Sequence, residues 1–122
     1  MATLLVNTGK AIVTNYLSGG SATQPKYVAW GTGAGTTGAT DTTLFTEVTP
    51  RVSGTATQVT TSTTNDTLQV VGTQTAGTGE TITNAGLFDA TTSGNLFVKG
   101  DFSGIALNSG DSIQFTFKVQ FS

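Results

Sequence analysis

The residues of this chain that are able to do chemistry are few, and nearly all of them carry oxygen. Its acids are Asp41, Glu47, Asp66, Glu80, Asp89, Asp101 and Asp111. Two carboxyls at the right separation would suit glycoside hydrolysis, one protonating the leaving oxygen and the other acting as base or nucleophile. Asp66 follows Asn65, however, and Asp111 closes Asn108-Ser-Gly-Asp111. Both are turn sequences, where a carboxylate accepts hydrogen bonds from nearby backbone. Asp89 and Asp101 flank a hairpin-like stretch in which they would face each other or a cation, and turn chemistry again explains them better. Nothing has the spacing of an EF-hand calcium loop. Histidine and cysteine are absent, which removes thiol nucleophiles, His-dependent triads, Cys/His zinc sites and disulfides. The chain therefore reads as non-enzymatic, with no metal and no cofactor.

Two further patterns invite a functional reading. Gly33-Ala-Gly35-Thr-Thr-Gly38 matches the glycine fingerprint of dinucleotide-binding folds and follows an expected strand. That chemistry needs a helix whose N-terminus meets the pyrophosphate. Ala39-Thr-Asp-Thr-Thr-Leu44 is a poor helix former, and no second strand ends in an acid at the required distance, so a flexible glycine loop is expected instead. Tyr16, Tyr27, Trp30 and the seven phenylalanines offer aromatic surface for a sugar. Most of the phenylalanines fall on one side of strand-like alternation, which points to a core. Trp30, just ahead of the glycine loop, is left as the aromatic that either packs or binds.

The elements that must position these groups are mainly strands. Only 10% of the 122 residues are charged and threonine is the commonest residue, a β-branched type suited to pleated sheet. Lys10, Lys26, Arg51, Lys99 and Lys118 are scattered and the net charge is −2, so no basic patch exists to neutralise phosphates, and nucleic-acid binding is not expected. No apolar run approaches the ~18 residues of a membrane span, and no signal peptide is evident. Synthesis and folding in a cytoplasm are expected.

Residues 1–20 are expected to form an arm and one short helix, with Asn7 or Thr8 as cap and Gly19-Gly20 as stop. The pairs Ile12/Tyr16 and Val13/Leu17 would make its apolar side; a strand is the competing assignment. Residues 26–122 read as a β body. Strands are expected at Lys26–Trp30 and at Leu44–Val48, the latter broken by Pro50-Arg51. Others are expected on either side of Asn65-Asp66, at Ile82–Ala90 and at Gly94–Phe102. Gly72–Thr81 reads as a polar connection. The last strand alternates cleanly: Ile113, Phe115, Phe117, Val119 and Phe121 share one face and Gln114, Thr116, Lys118 and Gln120 the other. Turn signals every ten residues or so argue for one mainly β domain, an antiparallel β-sandwich or jelly-roll-like fold with one N-terminal helix.

Three groups of residues carry a resemblance. Asn7-Thr-Gly-Lys-Ala-Ile-Val13 opens the chain. Tyr27-Val-Ala-Trp-Gly-Thr-Gly33 follows, then Asp41-Thr-Thr-Leu44, Glu47 and Arg51. Ile82-Thr-Asn-Ala-Gly-Leu-Phe-Asp89, Asn95-Leu96 and Leu107-Asn-Ser-Gly-Asp111 complete the series. In this order they resemble head decoration (cement) proteins of tailed bacteriophages and the N-terminal domain of tail-collar fibre proteins. The resemblance implies a β-rich virion component, a homotrimer, without catalytic activity. Because a fibre ordinarily continues into a long shaft, the expectation drawn here is a decoration protein on the capsid surface that bridges major capsid protein subunits. A tail or collar fibre-attachment protein is the alternative, and a carbohydrate-binding module using Trp30 the more distant one. Capsid or subunit contacts are expected from the N-terminal segment and the Gly31–Gly38 loop, with Asn7, Lys10, Trp30, Gly33, Gly35 and Arg51 as the candidate residues.

Overall fold

A computed structural model describes residues 3–122; Met1 and Ala2, the tip of the expected arm, lie outside them. Strand β1 (Thr3–Leu5) leads into helix α1 (Asn7–Leu17). Seven strands follow: β2 (Tyr27–Gly31), β3 (Glu47–Ser53), β4 (Thr55–Val59), β5 (Thr67–Thr75), β6 (Glu80–Phe88), β7 (Leu96–Leu107) and β8 (Ser112–Gln120). They form two antiparallel sheets, β1-β7-β6-β2-β3 and β4-β5-β8. This is the expected mainly β sandwich, with one helix among the described residues.

Alternation along the strands assigns each face. Val28, Trp30, Ala85, Leu87 and Val98 of the five-stranded sheet point at the three-stranded sheet, meeting Val70, Phe115 and Phe117. Ala29, Phe88 and Leu96 point the other way, where Val6 and Leu44 cover them. The two sheets approach closely at Gly72, where an added Cβ would lie 2.6 Å from a Val28 methyl. Beside it, the buried Gln74 amide donates to the carbonyls of Val28 (2.9 Å) and Pro50 (3.3 Å), fastening one sheet to the other.

Several local expectations need correcting. Pro50 does not break its strand. β3 is the sheet edge and pairs with β2 around an irregularity, Val28 facing Val52 and Trp30 facing Val48. Proline is tolerated at such a site because no ladder donor is required of it. Gly72–Thr81 is not one connection: β5 runs through Gly72 to Thr75, and only residues 76–79 turn. The helix is present, but neither Asn7 nor Thr8 caps it. Val6 occupies the cap position without a side-chain bond, and the Thr8 hydroxyl donates to the Leu96 carbonyl, tying the first turn to β7. Gly9 rests directly on the Phe97 carbonyl, leaving no room for a Cβ. At the other end, Gly19 takes a left-handed φ of 82° that glycine adopts at little cost.

The last strand is the largest revision. β8 does not join the β6–β7 hairpin that precedes it. It crosses to the other sheet and pairs with β5. Its inward row Ile113, Phe115, Phe117 and Val119 is only half-buried, and Phe121 lies beyond the strand, exposed.

Trp30, 2% exposed, meets Phe115 edge-to-face at 6.3 Å between ring centroids. Replacing Trp30 with alanine should lower the unfolding free energy by roughly 3–5 kcal/mol, the usual cost of emptying a large aromatic site. Urea unfolding followed by circular dichroism measures it.

Candidate functional site

Residues 32–46 fold back over the outer face of the five-stranded sheet, and far from being flexible they are fixed at several points. The fully buried Asn84 side chain accepts from the Phe45 N–H and donates to the Phe45 carbonyl, both at 3.0 Å. The Thr83 hydroxyl donates to the Gly33 carbonyl, and Asp101 accepts the Thr37 N–H at 2.9 Å. At the centre Lys99, 1% exposed, donates to Asp41 at 2.8 Å with its ammonium 3.3 Å from the centroid of the Phe45 ring. A buried ammonium needs such a carboxylate, and the ring face adds a cation–π attraction. The Lys99 ammonium and the Gly38 N–H hold the Asp41 carboxyl below its ordinary pKa.

The candidate contact residues divide. Asn7 and Lys10 are exposed on the first turns of α1, and the Asn7 N–H donates to the Ala39 carbonyl at 2.8 Å, bringing the helix start beside the loop. Gly33 and Gly35 lie against Phe45, where an added Cβ would be 2.6 Å from the Thr46 hydroxyl and from the ring respectively. Trp30 and Arg51 are engaged inside the chain. Trp30 is the core residue described above, so it offers no face to a sugar or a capsid. Arg51 forms a two-point pair with Glu47 (2.7 and 3.1 Å), donates to the carbonyls of Ala90 (2.9 Å) and Ser93 (2.6 Å), and stacks 3.6 Å from the Phe88 ring centroid. It fastens the β6–β7 turn to β3 and spends four of its five N–H donors inside the chain.

The carboxylates serve the fold in the same way. Asp66 gathers the N–H groups of Thr61, Ser62 and Thr63. Asp89 accepts from the backbone and side chain of Asn95, and Asp111 from the Asn108 N–H. Among the described residues no group of acids is placed to hold a metal ion. The expected turn chemistry is what Asp66, Asp89 and Asp111 do; Asp101 departs from it, since it lies within β7 and holds the distant Thr37 N–H.

A feature that the sequence does not announce lies on the other side of α1. Between the helix and the three-stranded sheet runs an open apolar groove of about 690 Å³, floored by Ile12, Leu68 and Val70. Its rim carries Leu17, 83% exposed, Phe121, 51% exposed, and Tyr16, 45% exposed. The i,i+4 pairs of α1 foretold an apolar side; only Ile12 of those four residues is buried. What this surface can do is adhere, since it offers apolar area and few polar groups.

Two outcomes follow from the clasp and the turns. Asp41→Ala should destabilise the protein by roughly 3 kcal/mol, because it strands a buried ammonium, whereas the double change with Lys99→Met should recover most of the loss; equilibrium unfolding of both variants checks this. The Thr63 and Thr61 N–H groups hold the Asp66 carboxyl far below its ordinary range, and Asp41 is lowered as well. Unfolded aspartates titrate near ~3.9, so the folded chain binds fewer protons than the unfolded one in acid. The stability they contribute is whole above about pH 5 and declines as pH falls through ~4. Asp66→Asn should give a shallower decline in the urea midpoint between about pH 5 and 2 than the unaltered protein.

Residues 5–119 match the family model described as "Podophage GP4 fiber I protein gp80". No curated protein and no solved structure matches the chain. The matched span runs from the end of β1 through nearly all of β8, so it takes in both sheets, the helix and the clasped loop. The chain therefore belongs to the podophage GP4 fiber I protein gp80 family, and it is a structural protein of the phage virion.

Proposed function

We propose that this chain is a non-enzymatic structural subunit of the phage tail-fibre apparatus, a rigid β body that docks against other virion proteins. The observation that carries the proposal is the family match, which spans residues 5–119 and names a fibre protein. It moves the weight from the head-decoration reading to the fibre alternative. The geometry supports a role in assembly: ion pairs and turn carboxylates are consumed in fixing loops, while the open surface is apolar at the α1 groove. The exposed Asn7 and Lys10, beside the clasped loop, form a second, polar face for contact. The subunit acts by burying area against its neighbours, and binding only the assembled structure stabilises that structure by mass action.

Immunogold labelling of intact virions with antibody raised against the chain tests the location. Gold confined to the tail and its fibres is the expected result. Gold distributed over the head would overturn the proposal in favour of capsid decoration.

A further inference from the structure

The three-stranded sheet ends in β8, which pairs with β5 along its full length on one side and with no described strand on the other. Such an edge presents a row of unpaired backbone donors and acceptors, and proteins usually blunt it. The other edges of this fold are blunted. β1 is three residues long and β4 five. β3 carries Pro50 and the Arg51–Glu47 pair at an irregular stretch. β8 is nine residues long, pairs without interruption, contains neither proline nor glycine, and bears one charge, Lys118. Its inward row is unfinished as well. Ile113, Phe115, Phe117 and Val119 all remain half-buried, although Val70 and Gln74 opposite them on β5 are fully buried.

We propose that β8 is the surface through which two copies of this chain join, edge to edge and antiparallel, merging their three-stranded sheets into one of six strands. A two-fold axis through Thr116 is the register that pairs all nine residues. It sets Phe115 opposite Phe117 and Ile113 opposite Val119, completing the apolar row from both sides, because directly opposed residues share a face. On the outer face it sets Lys118 opposite Gln114, so the strand's one charge never meets itself. No other edge matches as well: the inward residues of β4 are Ala56 and Gln58, too small and too polar to cover the two phenylalanines. A two-fold contact of this kind is self-complementary and closes on itself. The inference does not depend on where in the virion the subunit sits.

The outer face allows a test that leaves the core intact, since Gln114 and Thr116 are exposed. Sedimentation equilibrium of the full chain should show a concentration-dependent dimer. Gln114→Glu sets a carboxylate opposite Lys118 of the partner subunit twice per dimer and should tighten the dimer; Gln114→Lys should loosen it. Each change should be roughly two- to thirtyfold in Kd, from two symmetry-related cross-strand pairs, and should shrink at high salt. Because the chain has no cysteine, Thr116→Cys should form a covalent dimer under mild oxidation, while Gln114→Cys should not. A chain that stays monomeric, a trimer, a dimer indifferent to both Gln114 changes, or crosslinking as efficient through Gln114→Cys would each overturn the proposal.

Discussion

Each face of the five-stranded sheet is apolar, and a sheet with two such faces must be covered twice. The second sheet covers one face, with Gly72 and the Gln74 amide setting how closely the layers approach. Among the described residues no third sheet covers the other face, and the chain uses its N-terminal segment and residues 32–46. A loop of that length has little hydrophobic area of its own. What keeps it in place is polar as well as apolar: the loop satisfies the buried Asn84 amide and Lys99 ammonium while it covers Phe88 and Leu96 beneath. The polar clasp and the apolar cover are thus one device, and the positions of the helix start and of the glycine-rich stretch both follow from it.

The scarcity of charge fits this economy. Of the few ionic groups, more than half are committed to the fold: Arg51 to Glu47 and two carbonyls, Lys99 to Asp41, the turn aspartates to backbone N–H groups. The solvent-facing surface is left to threonine, glycine and glutamine, with apolar side chains concentrated beside α1. Such a surface has little to desolvate when it is covered by another subunit, which agrees with a virion component. It would be poorly suited to binding a charged substrate.

Much of this was legible in the sequence, and the parts that were not share a physical cause. Alternation over 113–121 identified a strand and its apolar side, and Asn65-Asp66 and Asn108–Asp111 identified turns, because these are local properties of the backbone. Alternation says which side a residue takes but not which strand lies beside it, so the crossing of β8 to pair with β5 was not readable. The same limit explains the glycine loop: small residues imply freedom, while the groups that remove it, Asn84, Lys99 and Asp101, lie 39 to 64 residues away. One signal was available. A lysine inside Leu96-Phe-Val-Lys-Gly100, an otherwise apolar run, demands a buried counter-charge, and Asp41 supplies it. Arg51 and Trp30, named as candidate contacts, turn out to be engaged inside the chain, and neither residue type declares whether its partners are internal.

Gly9 carries a consequence for the groove beside its helix. With the helix backbone resting on the Phe97 carbonyl, α1 already lies as near β7 as van der Waals contact permits. It cannot slide inward to narrow the cleft beside it, and the Thr8 hydroxyl resists its moving outward. The helix wall of the cleft is therefore anchored at its first turn before any guest arrives. A guest meeting such a wall would not have to order it first, and would keep affinity that an adaptable surface spends on its own immobilisation.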